Sequence, residues 1–301
     1  MAEKAFMDDK GRGIASILWG LLKTMRPKQW TKNLILFAGI LFSNNLFNPS
    51  LFGLSLAGFL LFCAFSGCVY IINDIVDMEK DRAHPKKKRR PLASGQVGVG
   101  QAVFFLFLVL SGALTLSYGI DPVFAGIGLA YFLLVTLYSF KLKNMVLLDI
   151  MAISIGFVLR AIGGTVLIDV AISPWLLLCT FLLSMFLALH KRKGEMKLVI
   201  SGNKQSRKIL EDYTPALLDD MLHIVTSSTV MAYSLYTFTA GHSIYMMGTI
   251  PFVIYGIFRY QYIVHKKDMG ENPELVLLND APLIADILLW VLSCIGILYF
   301  L

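Results

Sequence analysis

The sequence predicts an all-α integral membrane protein that crosses the bilayer nine times. The first observation is composition: of 301 residues, 56% are hydrophobic and only 16% are charged, with a mean hydropathy of +0.68. Soluble domains carry about 25% charged residues. The second is the recurrence of apolar runs close to the ~20 residues that a helix needs to span the hydrocarbon core. They fall at 33–48, 51–73, 98–118, 121–140, 145–168, 173–190, 219–240, 244–264 and 282–301. The third is charge placement. Of the 27 Lys and Arg residues, seven precede the first run, seven separate the second from the third, and two separate the fourth from the fifth. Seven more lie between the sixth and seventh, and three at or beyond the end of the eighth, which leaves only Arg160 inside a run. The alternate connections, near 43–50, 117–123, 168–174 and 240–250, contain no Lys or Arg. Cytoplasmic loops carry the basic excess, so the N-terminus is expected in the cytoplasm and the C-terminus outside. The net charge of +7 then reflects orientation and attraction to anionic lipid, and no nucleic-acid partner is needed to account for it.

Taken in order, residues 1–32 read as a cytoplasmic interfacial segment. No cleavable signal is expected, because the first long apolar stretch comes late. Ile14, Leu18, Leu21, Leu22 and Met25 recur at helical spacing with Lys23 and Arg26 close by, the pattern of a helix lying on a membrane surface. On an α-helix Lys28 and Lys32 would share a face, with Trp30 at headgroup level. That face either anchors the chain or holds phosphates. The first run is short and interrupted by Asn44 and Asn45. The second delivers Asn73, Asp74, Asp77 and Asp81 to the membrane edge, followed by the bases Arg82 and Lys86 to Arg90.

On a helix the three aspartates fall within about 60° of one face. Carboxylates that close repel unless a cation sits among them, and Mg²⁺ suits the role because it bridges one or two carboxylates to substrate phosphates. The bases that follow would hold the same phosphates from the other side. A solvated helix end with a basic loop is the alternative.

The third and fourth runs read as scaffold and end at Tyr138 and Lys141, whose spacing lets both face one site. In the fifth, Asp149 and Arg160 are three turns apart on one face, about 16 Å from each other, with Gly156 and Gly163 on that face too. An arginine so deep in a span normally faces the bundle interior with a partner; a contact to an acid or a carbonyl is the structural alternative. The sixth run ends in His190, Lys191, Arg192 and Glu195. Glu195 either ligates a metal or orients Lys191 or Arg192, and His190 reads as an interface residue. Residues 251–260 and the acids at 271–280 give no chemical signal. The four cysteines and five histidines are scattered without metal-ligand spacing, which argues against zinc or haem.

Acids at one membrane edge, bases around them and one arginine facing the lipid suit a reaction between a soluble, multiply phosphorylated donor and a lipid acceptor. No P-loop, nucleotide fingerprint or Ser-His-Asp set competes with that reading.

Asn73-Asp74-x-x-Asp77-x-x-x-Asp81, with Arg90-Pro91 and Ser94-Gly95 downstream, resembles the first aspartate motif of the UbiA superfamily of intramembrane prenyltransferases. The chain looks most like the decaprenyl-phosphate phosphoribosyltransferase branch. The stretches that carry this are Arg26 to Asn33, His84-Pro85-x-Lys87 before Arg89-Arg90-Pro91, Leu148-Asp149 with Gly156 to Arg160, Lys191-Arg192-x-x-Glu195, and Pro251 to Tyr260. The resemblance implies a single domain over 1–301, with nine transmembrane helices around a central cavity. It further implies Mg²⁺-dependent transfer of 5-phosphoribose from phosphoribosyl diphosphate to a polyprenyl phosphate, at the cytoplasmic side of the cell membrane and in cell-wall-type glycan synthesis. Asp74 and Asp77 would hold Mg²⁺, with Asp81 supporting and Asn73 orienting. Lys28, Lys32, Arg82, Arg89 and Lys141 would meet donor phosphates, and Arg160 the lipid phosphate; Tyr138, Asp149, Lys191, Arg192 and Glu195 would complete the substrate site. A homo-oligomer is left open. The chain departs from typical aromatic prenyltransferases in lacking a second Asp-x-x-x-Asp motif after Asp149, where the next charge is Arg160. An aromatic or haem-type prenyltransferase is the nearest alternative, and a membrane transporter a more distant one.

Overall fold

A computed structural model of the chain describes residues 13–85, 87–200, 208–241, 243–267, 276 and 279–301. Lys86 and the acids at 271–274 lie outside the described residues. Those described form helices joined by turns and short irregular segments, without a strand. In chain order the α-helices are α1 Ile14–Thr24, α2 Ala38–Phe42, α3 Pro49–Val76, α4 Met78–Ala83, α5 Val99–Ile120 and α6 Pro122–Phe140, then α7 Leu148–Leu167, α8 Pro174–Ile200, α9 Pro215–Thr239, α10 Ile250–Lys267 and α11 Ala281–Phe300. Contacts divide the chain into two compact units interleaved in sequence: residues 1–33 with 59–136, and residues 34–58 with 137–301.

Several long helices open in the same way, with a polar capping residue followed by proline. Asn48 Oδ1 accepts from the backbone N–H of Ser50 and Leu51, at 3.1 and 3.3 Å, just before Pro49. Asp121 Oδ1 accepts from Phe124 N at 2.7 Å before Pro122, and Thr214 Oγ1 from Leu217 N at 3.1 Å before Pro215. Capping satisfies N–H groups that have no partner inside the helix, and proline at the first helical position gives up an N–H that would have been orphaned anyway. In a membrane, where water cannot satisfy such groups, this chemistry fixes where each helix starts.

Among the described residues six helices are long and apolar enough to cross a membrane: α3, α5, α6, α7, α8 up to Lys197, and α11. The protein is thus a multi-pass membrane protein. The runs at 219–240 and 244–264 do form long helices, α9 and α10, but these carry Asp219, Asp220 and His223 in one and Arg259, Gln261 and His265 in the other. The run at 33–48 differs more from expectation. It is 3-10 helix over Pro27–Phe37, then the five-residue α2, and the chain turns at Asn44, whose φ is +59°. Tertiary packing explains this. Gly164 of α7 approaches Leu36 so closely that a Cβ there would lie 2.0 Å from the Leu36 carbonyl oxygen, and a Cβ on Gly39 would lie 3.0 Å from Thr165 Cγ2.

In the first unit, Leu21 and Met25 of α1 pack into a buried cluster with Cys68, Val69 and Ile71 of α3, Leu92, Val97, and Ala102 and Leu106 of α5. The opposite face of α1 leaves Ile14, Leu18, Trp19 and Leu22 exposed. Helix α5 likewise exposes Phe104, Phe107, Leu108 and Leu116, the surface expected of a helix whose solvent is lipid. In the second unit α8 packs between α7 and α9, over a core that includes Ile150, Phe186, Leu189, Leu218 and Leu222.

Gly164→Ala is expected to destabilise the fold by about 1–3 kcal/mol through overpacking against backbone. Gly112→Ala, where nothing lies within 4 Å of the added carbon, should be neutral. Thermal melts of the two detergent-solubilised variants provide the check.

Candidate functional site

The acids of the sequence motif sit where α3 gives way to α4. Helix α3 ends at Val76, and Asp77 takes φ −92° and ψ 7° before α4 begins. Backbone bonds nevertheless continue in helical register, from Asp77 N to Asn73 O at 2.9 Å and from Asp81 N to Asp77 O at 2.8 Å. Asp74 and Asp81 are therefore brought to one side and are buried, at 2% and 3% exposure, while Asp77 and Asn73 are half-buried.

What lies among the buried acids is arginine. Arg90 Nη1 reaches Asp74 Oδ1 at 3.1 Å and Asp81 Oδ2 at 2.5 Å. Arg26 Nη2 pairs with the same oxygen of Asp74, and its guanidinium lies 4.7 Å from the centre of the Tyr70 ring. Arg26 adopts φ +53° immediately after α1, a left-handed conformation that few side-chain-bearing residues take and that turns its side chain back to Asp74. The sequence marked Arg90 among the bases after the motif and Arg26 at the head of the stretch up to Asn33, but it named neither as a partner of these acids.

Among the described residues no three Asp, Glu, His or Cys side chains form a group able to hold a metal. Of the three aspartates, Asp74 and Asp81 are joined through Arg90, and Asp77 is half-buried. The donor set still fits Mg²⁺ in kind. Its atoms are carboxylate oxygens, and Mg²⁺ needs only one or two protein carboxylates when substrate phosphates supply the rest.

The surrounding bases separate. Lys28 and Lys32 lie on the 3-10 helix, where four residues advance about 120° around the axis, so they do not share the face that an α-helix would give them. Lys28 is exposed and Lys32 half-buried. Arg82 donates to Glu79 Oε1 at 2.7 Å and to Ala93 O at 3.3 Å, and Arg89 is exposed.

The second unit holds another polar cluster. Arg192, 1% exposed, donates from Nε to Asp149 Oδ2 at 2.5 Å, from Nη1 to Glu195 Oε2, and from Nη2 to the Tyr138 hydroxyl at 3.1 Å. Asp149 is fully buried and also accepts from the Tyr213 hydroxyl at 2.8 Å. Tyr213 in turn accepts from Leu147 N at 2.9 Å, where Leu147 holds φ +66°. Burial raises the Tyr213 pKa, as does Asp149, so the hydroxyl stays a proton donor. Sequence spacing did not point to Tyr213, which follows a polar loop. Of the two readings of Glu195, the structure shows the one that orients Arg192. Tyr138 reaches Arg192, whereas Lys141 is exposed.

Arg160 is buried and donates to Gly156 O, one turn back on its own helix, at 3.0 Å; it lies 4.9 Å from the Phe157 ring centre. The carbonyl contact considered as the structural alternative is thus present. His190 is wholly buried, with Nδ1 2.9 Å from Phe186 O and its ring between Phe186 and Tyr260, an interface residue as expected.

An all-helical, membrane-spanning chain whose acids and arginines gather at a helix end defines a class: membrane-embedded proteins that handle charged, phosphate-bearing ligands. Residues 33–279 match the UbiA prenyltransferase family, and the chain belongs to that family. It is 32% identical to a decaprenyl-phosphate phosphoribosyltransferase of Mycolicibacterium smegmatis, over 95% of this chain and 94% of that one. It is 33% identical to the Corynebacterium glutamicum protein of the same name, over 93% and 87%. Among solved structures, a UbiA homologue from Archaeoglobus fulgidus bound to GPP and Mg²⁺ superposes with a TM-score of 0.71 at 18% identity, covering 93% of this chain and 99% of that one. Membership in a transferase family sets the transporter reading aside.

Arg192→Met is expected to cost about 3–5 kcal/mol, because it leaves Asp149 charged and buried without its cation. Arg89→Ala, at an exposed site, should stay within about 0.5 kcal/mol of the parent. Denaturation midpoints of the purified variants give the comparison.

Proposed function

We propose that the protein transfers 5-phosphoribose from phosphoribosyl diphosphate to a polyprenyl phosphate of the decaprenyl type, releasing diphosphate in a Mg²⁺-dependent reaction. The observation that carries this reading is similarity along nearly the whole chain to proteins that bear the corresponding name. The charged clusters agree with it in kind: carboxylates for a metal, guanidinium and ammonium groups for phosphates. By the same reading the chain crosses the membrane nine times from a cytoplasmic N-terminus and works at the cytoplasmic face of the cell membrane. Of the expected interfacial segment 1–32, residues 1–12 lie outside the described residues, and the exposed Ile14, Leu18, Trp19 and Leu22 of α1 support that placement for the rest.

In this reading Asp74 and Asp77 hold the metal, with Asp81 in support and Asn73 orienting its neighbours. A Mg²⁺ ion held there would supply positive charge to neutralise the leaving diphosphate. Lys28, Lys32, Arg82, Arg89 and Lys141 face the donor's phosphates. Arg160, costly to place in a span without a task, receives the acceptor phosphate. That acceptor is an anion at neutral pH, so its oxygen attacks the anomeric carbon without a strong protein base. A single displacement inverts that centre. The Asp149–Arg192–Glu195 cluster, with its groups already bonded to one another, orders the helix ends around Tyr138.

Purified protein supplied with labelled phosphoribosyl diphosphate and decaprenyl phosphate is expected to place label in the lipid fraction with inverted anomeric configuration. Label passing only from a prenyl diphosphate to an aromatic acid would overturn the reading. Asp74→Asn and Asp77→Asn should each lower turnover by at least 100-fold while the proteins still insert in membranes; full activity in either would remove that residue from the metal site.

A further inference from the structure

We propose that Tyr213 is a positioning residue for the transfer reaction: from the connection between α8 and α9 it aims the Tyr138 hydroxyl, acting through Asp149 and Arg192. This rests on the phosphoribosyl-transfer reading above, with Tyr138 in the substrate site.

The relay is continuous. The Tyr213 hydroxyl donates to Asp149 Oδ1 at 2.8 Å, Arg192 Nε donates to Asp149 Oδ2 at 2.5 Å, and Arg192 Nη2 donates to the Tyr138 hydroxyl at 3.1 Å. A carboxylate is planar, so a bond that fixes one oxygen also fixes where the other points. The guanidinium is a rigid planar fork, so its hold on Asp149 and Glu195 sets the place of Nη2. Asp149 is fully buried, and solvent therefore cannot replace the Tyr213 proton. Without that proton the carboxylate is free to turn, and Arg192 and the Tyr138 hydroxyl turn with it.

Tyr213 is itself firmly placed. It is buried, and Ile209 and Leu210 just before it lie in the core of the second unit. Thr214 just after it caps α9 through Leu217 N. Adjacent residues thus fasten α7 and begin α9.

The entrance of α7 has no side-chain cap of its own, and Leu147 there holds φ +66°. The Tyr213 oxygen accepts from Leu147 N at 2.9 Å. One hydroxyl therefore makes two bonds of different kinds. Its bond to Leu147 supports a backbone conformation that residues with a Cβ rarely take, and its bond to Asp149 aims a side-chain relay. The first need depends on the residue at 147, since glycine adopts positive φ without the steric cost. The second depends on the hydroxyl alone.

Steady-state kinetics of the purified full chain with phosphoribosyl diphosphate and decaprenyl phosphate, alongside thermal melts, separate the two. Tyr213→Phe is expected to lower kcat at least tenfold and to lower the melting temperature. Leu147→Gly alone should leave kcat within twofold of the parent. Combined with Tyr213→Phe it should raise the melting temperature and leave kcat low; if Tyr213→Phe alone does not fold, its kcat is read in this pair. Tyr138→Phe should fall to a similar kcat, and adding Tyr213→Phe to it should cost less than a further twofold, because the group being aimed is gone. An unchanged kcat in Tyr213→Phe, recovery of kcat with the glycine, or a full tenfold further loss on top of Tyr138→Phe would overturn the proposal while leaving the transfer reaction standing. Failure of the parent to place phosphoribose on the lipid would instead remove the reaction, and the positioning role with it.

Discussion

A carboxylate taken out of water needs a cation within reach, and both polar clusters of this protein answer that constraint with arginine. Asp74 and Asp81 are buried against Arg26 and Arg90, and Asp149 against Arg192. An ion in a low-dielectric interior carries a desolvation cost of several kcal/mol that only close, well-bonded partners offset. The guanidinium group suits the task because it stays charged and is weakly hydrated. Arg26 and Arg192 reach their acids across many residues, 48 and 43. The two clusters therefore also fix how distant segments meet within each unit.

The clusters differ in what they leave available. Arg192 is occupied on three sides by Asp149, Glu195 and Tyr138, and Tyr213 seals the remaining oxygen of Asp149. That network is closed and orders the chain around it, including the left-handed Leu147. The pair on Asp74 is looser, with both arginines a quarter exposed and each using one nitrogen.

Much of the architecture was legible along the chain. Apolar runs give the long helices because each must bury its backbone polar groups internally. The acids were legible too, since Asp74 and Asp81 are two turns apart and a helix puts such residues on one side. The helix itself was assumed in placing Lys28 and Lys32, and there it failed. Residues 27–37 wind as 3-10 helix, in a stretch that leads into the contact of Leu36 with the bare backbone of Gly164. No local pattern announces a glycine that lies so far along the chain.

The sequence by itself determined the class of fold and the presence of acids at a helix end with bases after them, both of which follow from residue type and short-range spacing. Tertiary structure alone decided the partners. It placed Arg90 between Asp74 and Asp81, brought Arg26 to Asp74, and bound Tyr213 to Asp149. Hydropathy and periodicity describe how one residue relates to the next few. Ion pairing depends on which segments fold against each other, and at equal charge several arginines of this chain were candidates until packing chose among them.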